Sequence, residues 1–322
     1  MRCLVVFFGG NPRIKTPLNR RGTRRARIRN YQLSINLMTS TLPPWIVLDS
    51  HLIQWLQEDI GRGDRSTQGL PNIDRVVTAV WIAKEAGIIA ALPVAKRVFE
   101  LLNPQAQFQP VAAEGSPCVP GQPIAEITAD LATLLMGERT ALNLAMRLSG
   151  IATATRKYVE CIADLPTQLV DTRKTTPGLR LLEKYATTVG GGVNHRVGLD
   201  DAVMIKDNHI AAAGGITEAI EGIRLSMPYP LTIEVETESL AQVTEAIDCH
   251  ADIIMLDNMP PDLMRQAVAI IRQANPRIKI EASGNITLTT IRQVAETGVD
   301  YISTSAPITR SHWLDLSMRI RT

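Results

Sequence analysis

Arg173, Lys174, His195, Arg196 and Lys206 fall in three stretches, Asp171–Arg180, Gly190–Arg196 and Ile205–His209, near short apolar runs that read as buried strands. Cations brought to one point repel one another, so such a cluster calls for an anion to fill it. Arg supplies planar, bidentate contacts to carboxylate or phosphate, and Lys supplies a compact charge. Structural ion pairs to Asp171, Asp200 or Asp207 are the competing explanation. Arg180, Glu183 and Lys184, three and four residues apart, read instead as ion pairs on a helix surface.

Carboxylates supply a second element. Glu236 and Asp257 each end an apolar run, and on neighbouring strands they would lie close enough to hold a hydrated Mg²⁺ or sugar hydroxyls. Glu234 points the same way as Glu236 but sits further from the strand end. A general acid and base pair, as in glycosidases, is the rival reading. A third element is Ser283-Gly284-Asn285, between a strand and a helix expected from Thr287, where backbone N–H groups could cradle a phosphate. Ser303-Thr-Ser305-Ala306 follows the next strand, and paired loops after the last two strands are a common phosphate site in barrels. His209 reads as a residue that orients the loop after Lys206. No Gly-x-Ser-x-Gly or His-x-x-x-His is present.

The elements that must position these groups alternate regularly. Strands ending near Asp171, Lys206, Glu236, Asp257, Ser283 and Ser303 are separated by helices at Leu179–Val189, Ile216–Leu225, Leu240–Ile247, Pro261–Ala274 and Leu288–Thr297. Such an alternation describes a parallel sheet covered by helices. A barrel is favoured over an open sheet, because barrel enzymes gather catalytic groups on the face where strands end. Upstream, a helix at Leu52–Ile60, a strand pair at Val76–Ile82 and Gly87–Ala91, a helix at Pro93–Leu102 and short strands from Phe108 to Ile127 make a smaller α/β unit. A long helical stretch, Leu131–Ala163, is expected to break at Ser149-Gly150. The predicted organisation is an N-terminal α/β sandwich over 38–147, an incomplete parallel α/β barrel over 148–307, and a tail, 308–322, that packs back on the sandwich.

With 45% hydrophobic and 20% charged residues, the 322-residue chain is able to bury a large core. Its net charge of +2 hides an asymmetry: residues 1–37 carry nine basic side chains and no acidic ones, leaving 25 basic against 32 acidic in the rest. The leader is expected to be a disordered extension, with an RNA-binding arm or a transit-like peptide as alternatives. The cation cluster therefore stands on an acidic body and does not belong to a nucleic-acid-binding surface. Cys3, Cys118, Cys161 and Cys249 form no Cys-x-x-Cys pair, which fits a reducing, cytoplasmic setting. No run approaches the ~18 apolar residues a membrane span needs.

In order along the chain, Glu138-Arg-Thr-Ala-Leu-Asn143, Asp171-Thr-Arg-Lys-Thr-Thr-Pro-Gly-Leu-Arg180, Gly190-Gly-Gly-Val-Asn-His-Arg196, Ile205-Lys-Asp-Asn-His209, Glu234-Val-Glu236, Met255-Leu-Asp-Asn258 and Ala282-Ser-Gly-Asn-Ile286 closely resemble the quinolinate phosphoribosyltransferase family. The resemblance runs from about Trp45 to Met318. It implies transfer of phosphoribosyl from phosphoribosyl pyrophosphate to quinolinate with decarboxylation, giving nicotinate mononucleotide, CO₂ and pyrophosphate in NAD biosynthesis. Carried over by motif, Arg173, His195, Arg196 and Lys206 would bind quinolinate, with Arg139 arriving from the partner subunit of a dimer or dimer-based hexamer. Lys174, Glu236 and Asp257 would hold the ribose pyrophosphate with Mg²⁺, and Ser283, Gly284, Asn285 and Ser305 the 5′-phosphate. Lys174, Lys206, Glu236 and Asp257 would be the catalytic set. Ser305 stands near a position where the family usually has Gly, in a loop one residue longer. Rival readings are a paralogue of the same fold with another acceptor, such as nicotinate, and a non-catalytic sensor of pyridine carboxylates.

Overall fold

The computed structural model describes residues 41–321; the leader 1–37 lies outside the described residues. The described chain begins with helix α1 (Trp45–Ile60), whose Leu48, Leu52 and Leu56 repeat every four residues and are buried. A short helix α2 (Arg65–Gln68) follows, capped by Asp64, whose carboxylate accepts from Ser66 N and Thr67 N. Next come β1 (Val76–Ala83), β2 (Gly87–Ile88), α3 (Leu92–Leu102), β3 (Gln107–Pro110), β4 (Pro117–Cys118) and β5 (Pro123–Asp130). A last strand, β12 (Leu316–Ile320), returns to pair with β1, giving an antiparallel sheet in the order β12-β1-β5-β3, while β2 and β4 form a separate ribbon. The expected strand pair was thus mispaired: β1 meets β5 and β12, because all eight of its residues have partners there and β2 is only two residues long. Trp81 on β1 is fully buried and meets Phe99 and Phe108 edge-on, with ring centroids 6.5 and 5.7 Å away.

One continuous helix, α4 (Leu131–Cys161), runs for 31 residues behind this sheet. The break expected at Ser149-Gly150 does not occur. Ser149 Oγ accepts from Ala90 N at 2.9 Å, and a Cβ at Gly150 would lie 1.9 Å from the His312 carbonyl oxygen. The small residues therefore permit close packing of chain against the helix, and the helical hydrogen bonds continue past them.

Six parallel strands follow: β6 (Gln168–Val170), β7 (Val203–Ile205), β8 (Ile233–Thr237), β9 (Ile253–Asp257), β10 (Lys279–Ser283) and β11 (Tyr301–Ser303). They pair in the order β6-β11-β10-β9-β8-β7, so β6 and β7 are the two edges of an incomplete α/β barrel. Helices α5 (Arg180–Val189), α6 (Asp207–Ala213), α7 (Ile216–Arg224), α8 (Leu240–Asp248), α9 (Pro261–Ala274), α10 (Ile291–Ala295) and α11 (Ala306–Thr309) connect the strands. Helix α6, directly after Lys206, was not foreseen; His209 Nδ1 accepts the Lys206 N–H at 3.0 Å and closes its first turn. Among the described residues no helix is long and apolar enough to cross a membrane.

Candidate functional site

The segment that carries the cations is fixed from below by a buried polar network. Asp171, just past β6, accepts from Lys184 Nζ, from His195 N at 2.8 Å and from Asn194 Nδ2 at 2.7 Å. Lys184 Nζ also donates to His195 O at 2.8 Å. Burial raises the Asp171 pKa and lowers that of Lys184, each partly offset by the other's charge. The surface ion pairs expected for Glu183 and Lys184 are overturned: both side chains are buried. Glu183 accepts from Arg147 Nη2 on α4 at 2.7 Å and from Thr176 N and Oγ1, each at 2.8 Å. Helix α5 is thus a buried wedge whose charges pin the loop holding Arg173 and Lys174 and the segment holding His195 and Arg196.

These segments open onto a cavity of about 780 Å³ at the strand ends. Arg173, Lys174, His195, Arg196 and Lys206 line it on one side; Glu236, Asp257, Ser283, Gly284, Asn285 and Ser305 line the rest. Arg139 does not. It lies on α4, exposed and outside the cavity lining. Crowding is visible in the electrostatics, for burial and the neighbouring Arg173 charge lower the Arg196 pKa, with Glu234 opposing them. Arg196 Nη1 reaches the Ala202 carbonyl at 2.8 Å, and Arg173 Nε is buried without a hydrogen-bond partner. An anion entering the cavity would relieve both conditions.

Lys206 Nζ lies 3.3 Å from Glu236 Oε2. Burial raises the Glu236 pKa; Lys206 works against that, and the charge of Asp257 adds to it. Two carboxylates close enough to influence one another, at adjacent strand ends and facing a cavity, are hard oxygen donors suited to a hydrated divalent cation. The donor set therefore fits Mg²⁺. Asn258, with φ 53°, joins this pair to the next loop, since its Nδ2 donates to Asp257 Oδ2 at 2.7 Å and its Oδ1 accepts from Asn285 Nδ2 at 3.2 Å.

The Ser283–Asn285 turn differs from expectation in one respect. Helix α10 begins at Ile291 and not near Thr287, because Thr287 and Thr290 exchange side-chain hydrogen bonds with each other's backbone and hold a separate turn. Gly284 (φ 99°) and Asn285 (φ 52°) are both left-handed, so at this turn the concave loop itself, and not the start of α10, faces the cavity. A Cβ at Gly284 would lie 2.2 Å from Asn258 Oδ1 and 2.9 Å from Asn258 N.

Beneath the cations sits a group that sequence reasoning passed over. Glu281, mid-strand on β10, is buried and lines the cavity. Its Oε2 lies 3.6 Å from His195 Nε2, which donates to Glu234 Oε2 at 2.9 Å. Burial, then the charge of Glu234, push the Glu281 pKa up to about 7; His195, Ser303 and Lys206 oppose the shift. Burial works against a charged imidazole at His195, yet the hydrogen bond and charge of Glu234, with Glu281, outweigh it and raise its pKa. Glu281 reads in the sequence as an ordinary polar strand residue; two glutamates on strands that turn out not to be sequence neighbours could be brought together only by the folded register. Arg310 and Asn258 also line the cavity and were not singled out as site residues.

Family profiles match almost the whole described chain: "Quinolinate phosphoribosyl transferase, N-terminal domain" over residues 64–149 and "Quinolinate phosphoribosyl transferase, C-terminal domain" over 151–319. The chain is 61% identical over 279 residues to a probable nicotinate-nucleotide pyrophosphorylase [carboxylating] of Synechocystis, covering 87% of this chain and 94% of that protein. It is 37% identical to the human nicotinate-nucleotide pyrophosphorylase [carboxylating], over 87% and 93% of the two chains. Among solved structures, NadC from Streptococcus pyogenes superposes with a TM-score of 0.83 at 42% identity, covering 87% of this chain and 99% of that one. By its two matched profiles and these long alignments, the chain belongs to the quinolinate phosphoribosyltransferase family.

Proposed function

We propose that this chain is an enzyme that transfers phosphoribosyl from phosphoribosyl pyrophosphate to quinolinate and decarboxylates the product, yielding nicotinate mononucleotide, CO₂ and pyrophosphate for NAD biosynthesis. The observation that carries the reading is the single cavity in which Arg173, Lys174, Arg196 and Lys206 face the carboxylates Glu236 and Asp257. A dianionic pyridine suits the Arg173, His195, Arg196 and Lys206 side. The phosphorylated sugar suits Lys174, the carboxylate pair, and the Ser283–Asn285 and Ser305 loops. Mg²⁺ held by Glu236 and Asp257, directly or through water, would supply charge neutralisation for the departing pyrophosphate.

In this reading the chain's own contribution is position and fixed charge. Arg173 and Lys206 orient the two carboxylates so that the ring nitrogen faces the ribose carbon, and the buried Asp171–Lys184 network keeps His195 and Arg196 from recoiling as charge moves. No covalent intermediate is required. Arg139 completes the dicarboxylate site from the partner subunit in a homodimer or dimer-based hexamer, which accounts for its exposure here. A cytoplasmic setting belongs to the same proposal, although relatives named mitochondrial and chloroplastic share the fold family.

Incubating the protein with quinolinate, phosphoribosyl pyrophosphate and Mg²⁺ should release CO₂ and nicotinate mononucleotide in equal amounts. Product from nicotinate in place of quinolinate would favour the paralogue reading, and binding without turnover would favour the sensor.

A further inference from the structure

The proposed reaction leaves one atom unaccounted for. When the bond from C2 to its carboxylate breaks and CO₂ departs, the electron pair stays at C2 beside the positively charged ring nitrogen, and C2 must then gain a proton. Every cation lining the dicarboxylate side except His195 is an Arg or Lys, whose ordinary pKa values make them poor acids at neutral pH. His195 has both ring nitrogens engaged within the protein, Nδ1 by the Arg196 N–H at 2.8 Å and Nε2 by Glu234 at 2.9 Å, so a different group is needed close to the pyridine.

Resting on that functional reading, we infer that Glu281 is a catalytic residue: its side-chain carboxylic acid stands in the floor of the cavity and hands its proton to C2 as CO₂ leaves. Three observations converge on it. Glu281 is only 3% exposed, yet it borders the cavity, and its Oε1 has no hydrogen-bond partner within the protein. The Ser303 hydroxyl on β11 is near enough to lower its pKa without meeting hydrogen-bond geometry. Its other oxygen, Oε2, faces His195 Nε2, which is already engaged by Glu234 Oε2. The three ligand-type atoms of His195, Glu234 and Glu281 all lie within 4.8 Å of one another.

Charge decides which form Glu281 takes. Glu234 on β8 faces it as a like charge, His195 and Lys206 face it as opposite charges, and its register partners are Met255 on β9 and Tyr301 on β11, with the Ser303 hydroxyl nearby. A second full carboxylate beside Glu234, under a dicarboxylate substrate, would be repelled from both sides. A proton on Glu281 removes that repulsion and leaves an acid with a pKa of about 7, near the value that serves best for proton transfer at neutral pH. In the step itself the O–H bond of Glu281 breaks, the C2–H bond forms, and the new Glu281 carboxylate recovers its proton from water admitted when product leaves. His195, held by Glu234, is a positioning residue that steadies this carboxylate while it is charged.

Rapid-quench single turnovers of the wild-type protein with quinolinate, phosphoribosyl pyrophosphate and Mg²⁺ separate pyrophosphate release from formation of CO₂ and nicotinate mononucleotide. Glu281→Gln keeps the shape and removes the acid. It should slow nicotinate mononucleotide formation at least tenfold more than pyrophosphate release, with the ribosylated dicarboxylate accumulating. In the wild type, product formation should decline as pH rises through about 7 while pyrophosphate release does not follow it. This second measurement serves even where the variant fails to fold. Equal slowing of both steps in Glu281→Gln, product formation at the wild-type rate, or a wild-type product step indifferent to pH across that range would each overturn the inference. A wild-type protein that releases no pyrophosphate from this substrate pair would instead refute the functional reading on which it rests.

Discussion

Replacing Glu183 with Ala tests how the site is held from behind. The side chain is fully buried and ties together three parts of the chain: Arg147 on α4, Thr176 in the loop that carries Arg173 and Lys174, and its own helix α5. Removing one member of a buried ion pair typically costs about 3–5 kcal/mol, because the remaining charge loses its partner without regaining water. Arg147 would keep two acceptors, Ser311 Oγ at 3.0 Å and the Ile308 carbonyl at 2.9 Å, and Thr176 is exposed enough to bond water. The low end of the range, about 3 kcal/mol, is therefore expected. For a unit of this size each kcal/mol moves the melting midpoint by about 2–4 °C, so thermal unfolding followed by circular dichroism should show a fall of about 6–12 °C. Adding Arg147→Met to Glu183→Ala should recover part of the loss, since the uncompensated charge disappears. A fall of less than about 3 °C for Glu183→Ala, or a double variant whose losses simply add, would refute the view that this pair is a buried, mutually dependent anchor.

Three further outcomes are expected. Gly284→Ala places a side chain at φ 99° against Asn258, so steady-state kinetics should show KM for phosphoribosyl pyrophosphate rising by about tenfold or more with the protein still folded; an unchanged KM would remove the loop from the phosphate site. Lys206→Ala removes a half-exposed side chain that contacts Glu236, and turnover with quinolinate should collapse while the melting midpoint shifts by no more than about 3 °C; near-normal turnover would exclude its role. Glu281 has a folded pKa of about 7 against an ordinary 4.5, so the folded protein holds a proton the unfolded chain releases. Its contribution is fully present below about pH 4.5 and is lost as pH rises to about 7, amounting to about 3 kcal/mol, and Glu281→Gln should flatten that part of the urea-unfolding profile.

The alternation of apolar runs and helical segments was readable because each strand of a parallel sheet is buried on both faces and each covering helix on one, leaving a local imprint in the sequence. The cation motifs were readable because Arg173, Lys174 and Lys206 closely follow those strands, with His195 and Arg196 in the segment between them, and strand ends in a barrel share one face. What local pattern could not reveal is instructive. Glu183 and Lys184 have the spacing of a solvated helix face, yet they are buried because Arg147 comes from α4 and Asp171 from the segment just past β6. Ser149-Gly150 has the look of a helix break and proves to be a contact with the segment at His312. In both cases the deciding neighbour is distant in the chain.

The sequence by itself carried the family, through its ordered motifs, the parallel barrel, through short-range periodicity, and most of the ions that face the cavity, though not Glu281 or Arg310. Tertiary structure alone decided how they are held and how their protons are distributed. The pairing order β11-β10-β9-β8 sets Glu281 two strands away from Glu234, and both side chains converge on His195. A carboxyl group's acidity depends on the charges and solvent around it within a few ångströms, and those surroundings come into being only when distant strands meet.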